Sequence, residues 1–207
     1  MGLFGGRARR RGLLVAGATV LLVAGGASLA SGLGNGGFEN GNLKGWKKDS
    51  RGAGKWKVYS GTGEIVPEPP QGNYAAVSVQ NNPSSNVLHR TLRLKKGVRN
   101  ILKLRVYYTN EAERFATPRS LSHRRRPNQQ YRIDLIKPEA GLRSMKKKHI
   151  LVNIFRTKVG DPLSIQPRKI EKNISRFNGR EVRLRIAQVD NQSFFSAAVD
   201  AVKLSRR

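Results

Sequence analysis

Lys103, Arg105 and Tyr107 stand at every second position of one apolar run, Leu102-Lys103-Leu104-Arg105-Val106-Tyr107-Tyr108. The same alternation sets Arg183 and Arg185 between Val182, Leu184 and Ile186, and places Arg132 between Tyr131 and Ile133. Strand side chains point alternately to opposite faces, so the aliphatic residues share one face and the cations the other. If these strands neighbour one another in one sheet, Lys103, Arg105, Tyr107, Arg132, Arg183 and Arg185 form a basic platform carrying one exposed aromatic ring. Guanidinium forks match carboxylate and phosphate. Such a platform suits an acidic glycan, a phosphate-bearing wall polymer or nucleic acid, and a solvated cationic surface without a discrete ligand explains the same pattern.

A sugar ring packs its C–H face on aromatic rings while amides and arginines take its hydroxyls. The planar polar groups in position for that role are Asn128 and Gln129 in one loop and Asn191 and Gln192 in another, each beside a strand where binding residues concentrate. Ordinary turn chemistry also accounts for them. Tyr131 and Tyr108 alternate with aliphatic residues and read as core, as does Trp56 between Lys55 and Lys57. The runs Arg124-Arg125-Arg126 and Lys146-Lys147-Lys148 fall in segments rich in Ser, Pro and Arg, expected to be mobile.

Catalytic chemistry finds little footing. The 13 acids are dispersed, although a pair such as Asp134 with Glu113 could still form across a cleft in space. There is no Gly-x-Ser-x-Gly elbow, no His-Glu-x-x-His and no phosphate-binding Gly-Lys-Ser/Thr loop. With no Cys and only His89, His123 and His149, thiolate and His-based metal sites are excluded. The expectation is a protein that is not an enzyme.

The chain of 207 residues carries 40 Lys and Arg against 13 Asp and Glu, a formal net charge of +27. Its surface field must attract polyanions. Nucleic acid binding is expected only as a non-specific, salt-sensitive consequence of that charge, because no RNA-binding motif is present. Arg7, Arg9, Arg10 and Arg11 precede a Gly/Ala/Leu/Val stretch and the small-residue end Ser28-Leu29-Ala30, the form of an export signal over residues 1–30. Arg10-Arg11-Gly12-Leu13-Leu14 also fits a loose twin-arginine pattern. The apolar run is short and broken by Gly17, Gly25 and Gly26, so no stable membrane span is expected in the mature protein. All but those four arginines lie beyond residue 30, so the basicity belongs to the folded part, 31–207.

The elements that must position these groups are strands. Clear runs span 74–79, 87–94, 101–108, 131–136, 150–155, 182–189 and 199–204, with weaker ones at 56–59, 64–66 and 169–174. Turn-formers separate them and no linker or repeat interrupts, so the pattern predicts one all-β, two-sheet antiparallel β-sandwich.

The chain opens on Asn35-Gly36-Gly37-Phe38-Glu39-Asn40-Gly41 with Gly45-Trp46, and closes on Ala198-Val199-Asp200-Ala201-Val202-Lys203-Leu204. Between them lie Gly72-Asn73-Tyr74-Ala75-Ala76-Val77 and Leu92-Arg93-Leu94-Lys95-Lys96-Gly97. In this order the segments resemble the galactose-binding-like jelly roll of carbohydrate-binding modules of families 4, 9 and 22 and of secreted bacterial domains of that type. The resemblance implies a jelly-roll sandwich and a secreted or envelope-associated, non-catalytic module for polysaccharide or an anionic envelope polymer. A structural or adhesive protein acting by charge alone, or a polysaccharide hydrolase, are the alternatives. It also implies that Glu39 and Asp200 lie together and hold one structural calcium ion. Ala201 departs from the pattern, since relatives often carry a second acid or amide there.

Overall fold

The computed structural model describes residues 1–2, 33–62, 66–80, 82–124 and 126–207. The export segment expected over residues 1–30 therefore lies outside the described residues, Met1 and Gly2 apart. Ten strands follow in order: β1 (Lys47–Gly52), β2 (Lys55–Tyr59), β3 (Ala75–Gln80), β4 (Ser84–Arg93), β5 (Asn100–Asn110), β6 (Gln130–Ile136), β7 (Ile150–Arg156), β8 (Ser164–Asn173), β9 (Glu181–Asp190) and β10 (Phe195–Arg206). Two short 3-10 turns, Lys147–His149 and Ser175–Phe177, are the only helical elements among the described residues. The strands form two antiparallel five-stranded sheets, ordered β1-β4-β9-β6-β7 and β2-β3-β10-β5-β8. No helix among the described residues is long and apolar enough to cross a membrane.

The alternation read from the sequence sets the sandwich filling. Leu88, Leu92, Ile133, Leu135, Leu184 and Ile186 face inward from the first sheet and meet Leu102, Leu104, Val106, Val199 and Leu204 from the second. Trp56, Tyr108, Tyr131 and Phe195 fill the same core, with Tyr108 edge-on to Phe115 at 5.3 Å. Burying rings of this size supplies much of the hydrophobic stabilisation.

All seven clear strand runs form. The weak run at 169–174 forms the end of the longer β8 up to Asn173, while Val66 stands outside any strand and Glu64 and Ile65 outside the described residues. β1 was not foreseen: Lys47-Lys48-Asp49-Ser50-Arg51-Gly52 has no apolar alternation, and it is a strand because it pairs along β4 from Lys47↔His89 to Gly52↔Ser84. Cross-strand pairing outweighs local propensity here.

The opening segment docks on the closing one. Val202 N–H donates to Gly36 O at 2.9 Å, and an added Cβ at Gly36 would collide with the Val202 carbonyl, so only glycine permits the contact. Phe38 is buried and stacks on Trp46 at 5.5 Å, and the Trp46 indole N–H donates to Asn35 O.

Candidate functional site

The six-residue platform does not assemble. Lys103, Arg105 and Tyr107 lie on β5 in the second sheet, whereas Arg132 lies on β6 and Arg183 and Arg185 on β9, both in the first. The outward faces of the two sheets look in opposite directions, so the alternation predicted the outward side but not a shared surface. Tyr107 is moreover fully buried. It packs with Val66, Val77 and Ala198 under the segment that follows β2. Its hydroxyl donates to that of Tyr59 at 2.5 Å, which in turn donates to Pro67 O at 2.7 Å. Burial raises both phenols, Tyr59 to about 12. Lys103 is half-buried and pairs with Glu171 at 3.3 Å.

On the first sheet the outward arginines are roofed over. Arg185 is fully buried and pairs with Asp134 at 2.5 Å, and Arg132 reaches the same carboxylate at 2.7 Å. Arg185 also donates to Leu142 O and Ser144 O, and Arg183 donates to Ala140 O. Burial alone would raise the Asp134 carboxyl. Its hydrogen bond from Arg132 and the charges of Arg185 and Arg132 reverse this and hold it below the usual carboxylate range. Arg183 and Arg185 therefore anchor the 137–149 loop to the sheet. Asp134 is unavailable to Glu113 as a catalytic partner.

The expected mobile loops are likewise docked. Leu142 and Met145 from one loop and Leu121 from the other pack on Val87, Ala187 and Val189 of the first sheet. Where these loops meet the end of β1 they leave a cleft of about 680 Å³. Arg51, Arg119, Arg124 and Arg143 line it together with His123, and the serines Ser120 and Ser122 add hydroxyls. Arg143 is committed: it donates to Asp49, to the Ser85 hydroxyl at 3.0 Å and to Ser85 O at 2.7 Å. Arg51, Arg119 and Arg124 have no carboxylate partner among the described residues. Burial and the charges of Arg124, Arg143 and Arg51 hold His123 below the usual histidine value. Among the described residues, neither a carboxylate nor a Trp, Tyr or Phe ring lines the cleft.

The amides picked out from the sequence stand one layer behind. Asn128 is buried and donates to Ser120 O at 3.0 Å and Ser122 O at 2.8 Å. Asn191 donates to His123 O at 2.9 Å and Arg126 O at 2.7 Å while accepting from Asn128 N–H. Gln129 is buried and donates to Asn110 and to Ser193 O. Three of the four amides thus fix loop conformation, and only Gln192 is exposed, beside other hollows. The run Arg124-Arg125-Arg126 was the sequence signal nearest the cleft. Nothing in sequence spacing brings Arg51 and Arg143 to it.

Glu39 and Asp200 do come together. Both approach the same side of Gly37, the Glu39 Cγ and Asp200 Oδ1 lying within 4 Å of where its Cβ would stand. Glu39 accepts from Asn73 N–H and Tyr74 N–H, and Asp200 from Gln71 N–H and Ala201 N–H. Burial, with the nearby Glu39 charge, pushes the Asp200 carboxyl up to about 7. Each carboxylate oxygen keeps a second lone pair, so the pair has the chemistry of hard-cation ligands. No group of three or more His, Cys, Asp and Glu suited to a metal gathers among the described residues.

No protein-family model matches the chain, and no curated protein matches its sequence. Solved structures do. The chain is similar to TmCBM61, solved in complex with β-1,4-galactotriose, at 14% identity and a TM-score of 0.50 over 84% of this chain and 96% of that one. It is also similar to the K1 cleaved adhesin domain of Lys-gingipain from Porphyromonas gingivalis W83, at 13% identity and a TM-score of 0.49 over 82% and 95% of the two chains. A family 16 carbohydrate-binding module matches at 15% identity and a TM-score of 0.45 over 82% and 96%. The likeness to TmCBM61, with two antiparallel five-stranded sheets, shows that this chain shares the fold of that module, an antiparallel two-sheet jelly-roll β-sandwich.

Proposed function

We propose that the protein is a secreted or envelope-associated, non-catalytic module that binds an acidic carbohydrate or other anionic envelope polymer in the arginine-lined cleft. The observation that carries this reading is the set Arg51, Arg119 and Arg124 around one cleft, with no carboxylate among the described residues to neutralise them. Like charges converging on a hollow repel one another, and an anionic ligand relieves that repulsion while taking guanidinium hydrogen bonds. The fold supports a binding module as a frame, but fold does not transmit ligand. The lack of Trp, Tyr or Phe among the described residues of the cleft favours charge over ring stacking as the source of affinity.

The test is titration of the purified protein with polygalacturonate, a sulfated glycan and neutral β-galactan at low and at high salt. Saturable binding of an acidic glycan that is weakened but not abolished by salt is the expected result. Binding to every polyanion that vanishes with salt would replace this reading with adhesion by charge alone. Release of shortened products would replace it with hydrolysis.

A calcium ion held by Glu39 and Asp200 belongs to the same proposal. A divalent cation would offset the repulsion between these carboxylates and stabilise the junction of the opening and closing segments. A melting temperature that rises with calcium and falls with a chelator supports it. An unchanged melting temperature overturns it.

A further inference from the structure

The loop that borders the arginine cleft has a second hollow on its other side. This hollow, of about 330 Å³, is lined by Pro118, Arg119, Ser120, Ser122, Arg126 and Asn128. Arg119, Ser120 and Ser122 line both, so the two hollows adjoin across a single ridge. Arg51 and Arg124 stand on one side, Arg126 on the other and Arg119 at the shared border, all four exposed. Among the described residues, neither hollow has a carboxylate in its lining.

The ridge is held in shape. Asn128 and Gln130 donate to Ser120 O, Asn128 to Ser122 O, and Asn191 to His123 O and Arg126 O. Ser120 and Ser122 hydroxyls accept from Ser122 N–H and Arg124 N–H. A loop pinned at this many carbonyls holds its arginines in a set arrangement, which lowers the entropy lost when a ligand binds. A polymer bridging both hollows gains from its second contact as an intramolecular event, at the high effective concentration set by a short linkage.

We propose that the two hollows form one track for a linear glycan that bears carboxylate or sulfate groups on successive residues, with Arg119 contacting the chain where it crosses the ridge. The inference rests on the reading of the cleft as an anionic-glycan site and adds that recognition requires consecutive charged residues. Single-stranded nucleic acid also carries a charge at each repeat, but its binding draws on aromatic stacking. Among the described residues, no Trp, Tyr or Phe lines either hollow.

The experiment titrates the purified protein, and its Arg119→Gln variant, with oligogalacturonides of one, two, four and eight residues and with heparin-derived oligosaccharides of matching length. Neutral galactan oligomers and an oligothymidylate of eight nucleotides complete the set at fixed salt. The expected result is affinity that rises about tenfold or more between one and four charged residues, and a much flatter length dependence in Arg119→Gln. A single uronate that binds as tightly as the octamer, or length dependence unchanged in Arg119→Gln, overturns the track. Oligothymidylate binding more tightly than either acidic octamer overturns the glycan assignment. Equal binding of neutral and acidic oligomers, or no glycan binding at all, overturns the anionic-glycan reading itself and the track with it.

Discussion

Arg185 on β9 and Asp134 on β6 stand directly opposite one another and pair at 2.5 Å with both side chains shielded from solvent. Arg132 and Asn153 donate to the same carboxylate, and the far side of Arg185 holds two carbonyls of the 137–149 loop. Removing the one anion of a buried ion group leaves its cations shielded from solvent without a counter-charge. Asp134→Ala is therefore expected to lose about 3–5 kcal/mol of stability, measured by urea denaturation. A loss below ~1 kcal/mol would show that water reaches the two arginines.

Asn191 does not line the arginine cleft, yet it fixes the loop that carries His123 and Arg124. Asn191→Ala is expected to leave the fold intact, weaken acidic-glycan binding and speed tryptic cleavage within 119–126. The lost hydrogen bonds correspond to roughly 1–3 kcal/mol, most of it confined to the loop. Wild-type affinity together with faster cleavage would show that binding does not need the pinned loop.

The sandwich was legible because burial on one face of each strand leaves a period of two in the sequence, as at Leu102, Leu104 and Val106. That Glu39 and Asp200 approach the same side of Gly37 was implied by the resemblance of the opening and closing motifs, not by periodicity or spacing. The cleft was not legible. Periodicity tells which way Arg185 points but not that Leu142 and Ser144 cover it, and it cannot tell which sheet a strand joins. Arg51, Arg119 and Arg143 meet only through long-range pairing and loop docking, to which local sequence gives no clue.

Because Lys103, Arg105 and Tyr107 belong to the sheet opposite the cleft, Lys103→Ala, Arg105→Ala and Tyr107→Phe are expected to bind acidic glycan at medium salt as the unaltered protein does. Tyr107→Phe removes one buried hydrogen bond and is expected to cost about 1 kcal/mol. Lys103→Ala breaks a half-exposed pair with Glu171 and is expected to cost under ~1 kcal/mol. A severalfold loss of affinity in Arg105→Ala would restore the second sheet as a binding face.

Asp190 is buried without a cationic partner among the described residues, and burial pushes its carboxyl up to about 6 even though Gln192 and Ser193 N–H groups and the Gln129 side chain favour the charged form. Its folded value lies above the ordinary aspartate value, so between about pH 4 and 6 the folded state holds more protons than the unfolded one. Stability from this group is therefore full below about pH 4 and is lost as pH rises through the folded value. A shift of about two units corresponds to up to ~3 kcal/mol, and Asp200 acts in the same sense up to about 7. His89 and His123, both held below the usual histidine value, act in the opposite sense, so the measurement is the difference between the protein and Asp190→Asn at each pH. Asp190→Asn is expected to be the more stable of the two at pH 8 and to lose that advantage by pH 4. A constant difference across this range would mean that Asp190 titrates at the ordinary value and is reached by water in the folded protein.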